Sequence, residues 1–313
     1  MNRFRLHHVT EFIYDGPVRE SYNEVRLRPI HDDRQSCISF RLNSTPSSRP
    51  SAHLDYFGNW VHQFNILAEH RRLRVEAETV VLMHGAPPAA GGGLTLTTFD
   101  RDFRDAMAED YFDYVTPTEY VPHVAELDAL AAEVPEDDAV AFLEQASALI
   151  HQRFQYQKGA THVQSSILDA LSIGAGVCQD FAHILLGVAR RRGFPARYVS
   201  GYMVPESAEE EVIGGQASHA WAEIYVPGYG WLSFDPTLGA PVSLRHVRIA
   251  YGRDYGDVAP LRGVYKGHAG QRLGVDVRVR PALDDDGHEQ LQESAAGPVE
   301  EEGSEAAPRQ QQQ

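Results

Sequence analysis

The first 83 residues of this 313-residue chain keep a period of two, and that period dictates a sheet. Phe4, Leu6 and His8 alternate with polar neighbours, as do Ile38, Phe40 and Leu42, then Trp60, Phe64 and Ile66, then Leu73, Val75 and Ala77. Successive side chains of a strand point to opposite faces, so such runs bury one face and wet the other. Glycine, proline, asparagine and aspartate punctuate the runs at Asp15-Gly-Pro17, Asn43-Ser-Thr-Pro46 and Asp55-Tyr-Phe-Gly-Asn59, where turns are expected. The pattern predicts a small antiparallel β-sandwich over residues 1–83.

After this region the period changes. His84-Gly-Ala-Pro-Pro-Ala-Ala-Gly-Gly-Gly93 has no core residue and reads as a linker, and residues 84–121 as a whole read as linker and connecting segment. Helices are expected over Pro122–Val134 and Glu136–Tyr156. In the second, Phe142, Ala146, Leu149, Ile150 and Phe154 share one face at helical spacing. A third helix starts at Cys178, carries Phe181, Ile184, Leu185 and Val188 as its stripe, and closes on Arg190-Arg-Arg192 before Gly193 and Pro195. Strands follow at Ala196–Val204, around His219 and around Trp231, the last two forming a hairpin about Pro227-Gly-Tyr-Gly230. Val275-Asp-Val-Arg-Val279 alternates as one further strand, which closes a second domain spanning residues 122–281. Glu206 to Gly215 reads as an acidic, solvated loop. Residues 282–313 are rich in Glu, Gln, Ser, Ala and Pro, too polar to offset ordering entropy, and are expected to be a disordered acidic tail.

Charge and cysteine content exclude several functions. The formal charge is −16, half of it from nine acids against Arg309 in the tail, which disfavours nucleic acid and anionic membranes as partners. No apolar run approaches the ~18 residues of a membrane span, and the N-terminus alternates without the apolar core of a signal peptide. Cys37 and Cys178 fall in different predicted domains, so a disulfide is not expected and a reduced, cytoplasmic setting is. Fifteen histidines invite a metal site, but there is no HExxH and no paired-cysteine motif, so neither metal nor cofactor is expected. His7, His8, His31, His53, His62 and His70 lie in the sandwich and read as surface or packing residues.

The chemistry concentrates in Gly174-Ala-Gly-Val-Cys-Gln-Asp-Phe-Ala-His183. Gly174 and Gly176 allow a tight turn, after which Cys178 occupies the first turn of its helix. Unsatisfied amides and the helix dipole favour an anion there, the dipole by about 0.3–1 kcal/mol when exposed. The thiolate is the reactive form of cysteine, and the same amides suit an oxyanion. His219, Trp221 and Glu223 share a face of the first hairpin strand. Asp235 joins them only across a three- or five-residue turn, which sets it opposite Trp221 and diagonal to His219. A four-residue turn would separate the pair.

Four segments carry a resemblance: Gly-Val-Cys-Gln-Asp-Phe-Ala-His, Ala-Arg-Tyr-Val-Ser-Gly-Tyr, Ser-His-Ala-Trp-Ala-Glu and Phe-Asp-Pro-Thr resemble the core of the transglutaminase-like superfamily. Tyr14-Asp-Gly-Pro-Val18 and Asp55-Tyr-Phe-Gly-Asn59 are similar to the β domain preceding that core in a bacterial branch. The resemblance covers about residues 1–270. It implies an α+β protein, an N-terminal antiparallel β-sandwich followed by a papain-like core with a helix bundle packed on an antiparallel sheet. It also implies Cys178 as nucleophile, His219 as base and acid, and Asp235 as orienter. Papain-type enzymes place a glutamine oxyanion donor shortly before the cysteine. Ile173–Val177 has none, Gln164 is fourteen residues upstream and Gln179 follows the nucleophile. Related transglutaminases use an upstream aromatic donor, for which the resemblance makes Tyr156 a candidate, and the second donor stays unassigned. The expected activity is cysteine-dependent hydrolysis of a peptide or isopeptide amide through a thioester. Its rivals are transfer of the acyl group to an amine and a catalytically silent peptide-binding module. The expected partner is a peptide or protein substrate.

Overall fold

The computed structural model describes residues 2–85, 93–162, 165–204 and 218–282. Most of the glycine-rich linker, Gln164, the acidic loop at 206–215 and the tail from 283 lie outside the described residues.

The N-terminal region holds β1 (Asn2–Val25), β2 (Gln35–Thr45), β3 (Ser51–Leu54), β4 (Trp60–Ile66) and β5 (His70–Met83). β1 runs through both layers of this domain. Its first half pairs with β5 and its second half with β4. The register shifts between Ile13 and Val18, so Asp15-Gly-Pro17 is a bend inside one strand rather than the chain reversal expected there. Pro17 has no N–H to give to a ladder, which suits it to such a break.

Residues 84–121 contain more than connecting chain. α1 (Leu96–Asp102), α2 (Arg104–Asp110) and α3 (Phe112–Val115) precede α4 (Ala125–Ala132) and α5 (Ala139–Arg153). The Thr95 hydroxyl caps α1 by accepting from Thr98 N at 3.1 Å, and Leu96, Phe99 and Met107 enter the main core. Helices of four to seven residues are too short to show a helical period, which is why the sequence reads as connection. β6 (Gln155–Tyr156), α6 (Ile167–Ile173), β7 (Ala175–Gly176) and α7 (Cys178–Arg191) then lead into the second sheet. That sheet comprises β8 (Ala196–Met203), β9 (Ser218–Val226), β10 (Gly230–Asp235), β11 (Ala240–Pro241) and β12 (His246–Gly252), in the order β11-β10-β9-β8-β12. The buried stripe of α7, with Phe181, Ile184, Leu185 and Val188, packs on Ala220, Ala222 and Ile224 of this sheet.

The chain then returns to its beginning. After α8 (Tyr255–Val258), β13 (Leu261–Lys266) and β14 (Gln271–Pro281) pair antiparallel with the second and first halves of β1. Residues 261–281 therefore belong to the N-terminal domain, not to the core in which the 122–281 boundary placed them. Strand alternation shows that a strand exists; it does not say which edge will accept it. The layers β2-β5-β1-β14 and β3-β4-β1-β13 enclose Phe12, Val25, Phe64, Leu73 and Leu261.

The two domains are bound by apolar packing and by two buried amides. Phe4, Leu6, Val81 and Met83 meet Tyr202, Val204, Val247 and Ile249. Gln35 donates to Arg248 O at 2.7 Å and accepts from Arg248 N at 2.8 Å. Asn59 does the same at Tyr251, at 2.9 Å each way. β12 is an edge strand of its sheet, and these amides satisfy backbone groups its missing neighbour would have paired. Asp55 fixes Asn59 by accepting from Phe57 N, Asn59 N and Asn59 Nδ2, with Gly58 at φ 85°. Glu223, fully buried, completes the joint. Burial alone would raise its carboxyl, but Arg197, Arg248 and Arg34 outweigh that and hold it at about 2. Asn59→Ala would leave the Tyr251 N–H and C=O buried without partners. It should lower unfolding free energy by about 1–3 kcal/mol in urea titrations, with no change in secondary structure by circular dichroism.

Candidate active site

α6 begins with a full capping box, the Ser166 hydroxyl accepting from Leu168 N and the Asp169 carboxylate from Ser166 N. It ends at Gly174, whose φ of 74° is the left-handed conformation glycine adopts without strain. Ala175 and Gly176 then pair in parallel with Gln155 and Tyr156, setting Tyr156 beside the segment that enters α7. A Cβ on Gly176 would come within 2.7 Å of the Asp180 carboxylate. That carboxylate accepts from Val177 N at 2.8 Å and from the Thr161 hydroxyl at 2.6 Å, so the helix start is tied down just before Cys178. Both glycines thus meet the geometric need read from the sequence, and Asp180 adds a cap that was not read.

Cys178 and His219 line one cleft of about 400 Å³. β9 and β10 pair with Phe234 opposite Ala222 across the three-residue loop Pro227-Gly-Tyr, and continuing that register sets Asp235 opposite Trp221. His219 Nε2 lies 2.6 Å from Asp235 Oδ2, and His219 shares a further hydrogen bond with the Cys178 side chain. Since Nε2 is engaged by Asp235, Nδ1 is the nitrogen left for the thiol. Burial alone would lower the His219 pKa; the Asp235 carboxylate and Cys178 outweigh it and hold the pKa above the ordinary imidazole value. Burial would likewise raise Asp235, but His219 and His246 hold its carboxyl well below the usual range.

His246 is the residue sequence reasoning missed. Its Nε2 lies 3.0 Å from the same Asp235 Oδ2, and its Nδ1 accepts from Ser243 N at 3.2 Å. The acceptor role at Nδ1 puts the proton on Nε2, so a neutral His246 donates to Asp235. The other oxygen, Oδ1, accepts from Thr237 N at 2.9 Å and Leu238 N at 3.2 Å, so the carboxylate is held by four donors. Trp221 packs beneath both imidazoles, 6.2 Å from His219 and 5.2 Å from His246. β12 is buried on nearly every residue, which erases the period-two signal that would have revealed the strand carrying His246.

His219, Asp235 and His246 also offer ligand atoms within 4.8 Å of one another, the donor set a zinc-type ion takes. In this structure hydrogen bonds among the three account for their approach. Glu223, the alternative carboxylate on the His219 face, is held by Arg197 and Arg248, with Arg34 3.6 Å away. Tyr156 is half-buried on the cleft wall, and its hydroxyl is raised by burial and then by the proximity of Cys178. Gln179 lines the same wall. His8, read as a packing residue of the sandwich, also reaches the cleft: it is buried, with Nδ1 2.7 Å from the Tyr202 hydroxyl and Nε2 2.9 Å from the Thr10 hydroxyl. Cys37 sits apart on β2, its thiol pushed up by burial.

With this geometry in view, comparison with known proteins is informative. Residues 4–82 match the bacterial transglutaminase-like N-terminal region, and residues 128–236 match the transglutaminase-like superfamily. An uncharacterised protein of Mycobacterium leprae is 35% identical over 89% of this chain and 99% of its own length. The chain belongs to the transglutaminase-like superfamily, in its bacterial branch. A protein-glutamine gamma-glutamyltransferase of Pseudomonas aeruginosa is 35% identical, over 28% of this chain and 14% of that protein. The solved structure of a candidate cysteine protease from Cytophaga hutchinsonii superposes with a TM-score of 0.68 at 19% identity, covering 98% of this chain and 96% of that one; the likeness is one of fold. Among the described residues, no helix is long and apolar enough to cross a membrane.

Two predictions follow from the histidines. His246→Phe removes one donor from a buried carboxylate and should cost about 1–3 kcal/mol in denaturant unfolding. His8 and His183 are buried and uncharged, burial lowering them to about 4 and about 3. Unfolding returns both to the ordinary value of 6.5, so the unfolded chain takes up protons that the folded chain refuses. The contribution of these two imidazoles to stability is therefore complete above that value and falls with pH toward 4, by about 1.4 kcal/mol per pH unit for each imidazole. Denaturant midpoints measured between pH 7 and pH 4 check this, and a flat profile would contradict it.

Proposed function

We propose that this protein is a cysteine-dependent hydrolase of peptide or isopeptide amides, with Cys178 as nucleophile, His219 as acid and base, and Asp235 as the group that orients His219. The observation that carries this reading is His219, which lines one cleft with Cys178, hydrogen-bonded to Cys178 at the start of α7 and to the buried Asp235 on its other side. His219 takes the thiol proton, and the thiolate Sγ attacks the amide carbonyl carbon. The first-turn amides of α7 face the developing oxyanion, and Tyr156 is the side-chain donor we assign beside them. The imidazolium returns its proton to the leaving nitrogen as the C–N bond breaks, which leaves a thioester. Neutral His219 then takes a proton from water as its oxygen attacks the thioester, and the acid leaves as the thiol is restored. The exposed Lys158, Gly159 and His162 on the cleft margin leave a path for that water.

A second reading, in which an amine replaces water, is favoured by the partial similarity to the Pseudomonas gamma-glutamyltransferase. Incubation with a peptide library and a labelled primary amine separates the two. Free acid products support hydrolysis, and label carried into the acyl product overturns it in favour of transfer.

Cys178→Ala should abolish turnover with the fold intact, whereas Cys37→Ser should leave activity near wild type. A thiol-directed electrophile should modify Cys178 alone, and an inert Cys178 would reduce the core to a binding module. Asp235→Ala should retain the nucleophile but lose about 10²–10⁴-fold in rate. The basic limb of its kcat/KM profile should move to lower pH, because the imidazolium loses the carboxylate that stabilises it. An unchanged rate and unchanged limbs would remove Asp235 from the mechanism.

A further inference from the structure

One wall of the catalytic cleft comes from the other domain and from the far end of the chain. In the register of β14 with β1, Leu273, Val275, Val277 and Val279 lie opposite Phe12, Thr10, His8 and Leu6 and alternate with exposed residues. The two ends of this apolar stripe are covered. Val277 and Val279 pack against the cluster of Tyr202, Val247 and Ile249 on the core sheet, and Leu273 leans on the sandwich core with Phe12. Val275, which belongs to neither cluster, lies between these contacts; it and Leu273 are half-exposed, and both line the cleft that holds Cys178 and His219. Tyr198, Tyr255 and Ala220 of the core line the same cleft. His8 stands in the same wall with both ring nitrogens occupied, so it adds a neutral surface and no charge. An apolar stripe that packs against neighbours at both ends and stays half-exposed where it lines the cleft of Cys178 has room for one more contact, and about 400 Å³ is room for a large side chain.

We propose that Leu273 and Val275 form the specificity wall of the site, receiving an apolar side chain of the peptide substrate next to the amide presented to Cys178. The assignment rests on the hydrolase reading above, and it gives the N-terminal domain a role in choosing substrate. A hydrophobic pocket discriminates by about 10–200-fold for a side chain that fills it against one that does not.

The test uses the full chain carrying Cys178→Ala, which cannot turn its ligands over. Binding of acetyl-Leu-Gly-amide and of acetyl-Gly-Gly-amide is followed by NMR chemical-shift titration. The leucyl probe is expected to bind at least about tenfold tighter, and Val275→Asp or Leu273→Asp to erase the preference. Val275→Thr, which keeps the shape and adds a hydroxyl, is expected to weaken the preference and covers the case in which an aspartate variant does not fold. Equal binding of the two probes, or a preference that survives Val275→Thr and Leu273→Asp in folded protein, overturns the wall. Alkylation of Cys178 by iodoacetamide in the otherwise unaltered chain is measured in parallel. A reactive Cys178 without leucyl preference overturns the wall alone. A leucyl preference with an inert Cys178 upholds the wall and removes the hydrolase reading.

Discussion

The antiparallel ladder between β1 and β14 is the constraint on which the rest of the molecule depends. It joins residues near the start of the chain to residues near 280, from Phe4 opposite Pro281 to Tyr14 opposite Gln271. Everything between must leave the first domain, build the second and come back. The second domain is therefore closed at both its entry and its exit, and Gln35, Asn59 and the Glu223 cluster tie it down laterally. A cleft between two domains so fastened has fixed walls. Preorganised walls matter in catalysis because a positioned site spends no binding energy on ordering itself.

Beneath the cleft, one buried carboxylate organises the polar chemistry. Asp235 receives two imidazole nitrogens on Oδ2 and two backbone amides on Oδ1. A buried charge is costly unless it is fully hydrogen-bonded, and four donors meet that condition here. Because the Asp-Pro turn supplies two of them, the carboxylate is anchored to its own stretch of backbone as well as to the two histidines. His246 then occupies one side of Oδ2 and confines His219 to the other. The imidazole that faces Cys178 is thus held by the partner of its partner.

Legibility differed among the elements for definite reasons. β1, β4 and β5 were visible because buried and more exposed residues alternate over much of their length, and β2 because they alternate over Phe40–Thr45, whereas Ile38 sits exposed at a bulge. The α7 stripe was visible because Gln179, Asp180, His183 and Arg190, though buried with it, are polar. For Cys178, His219 and Asp235 the local cues, glycines that suit a tight turn and a strand parity, were compatible with their approach without forcing it, and their grouping as one set came from the resemblance. The three-residue turn decided the His219–Asp235 contact. β12 was hidden because it is buried on both faces, and His246 was hidden with it. α1 to α3 were hidden because each is shorter than the window in which a helical period can be counted.

What the sequence by itself determined is the local inventory: which segments alternate, which residue opens the α7 helix, and which side of a hairpin strand His219 shares with Trp221 and Glu223. These follow from the φ/ψ preferences and side-chain periods of neighbouring residues. What only the tertiary structure decided is the partner of each element. Strand β14 is equally well patterned for any edge, and beside β1 its apolar stripe packs against the sandwich core at Leu273 and against the core sheet at Val277 and Val279. His8, Leu273 and Val275 reached the cleft by that choice, and His246 reached Asp235 through the pairing of β12 with β8. Contacts between residues more than two hundred positions apart leave no local period to read, since periodicity records the surface an element buries and not the element it buries it against.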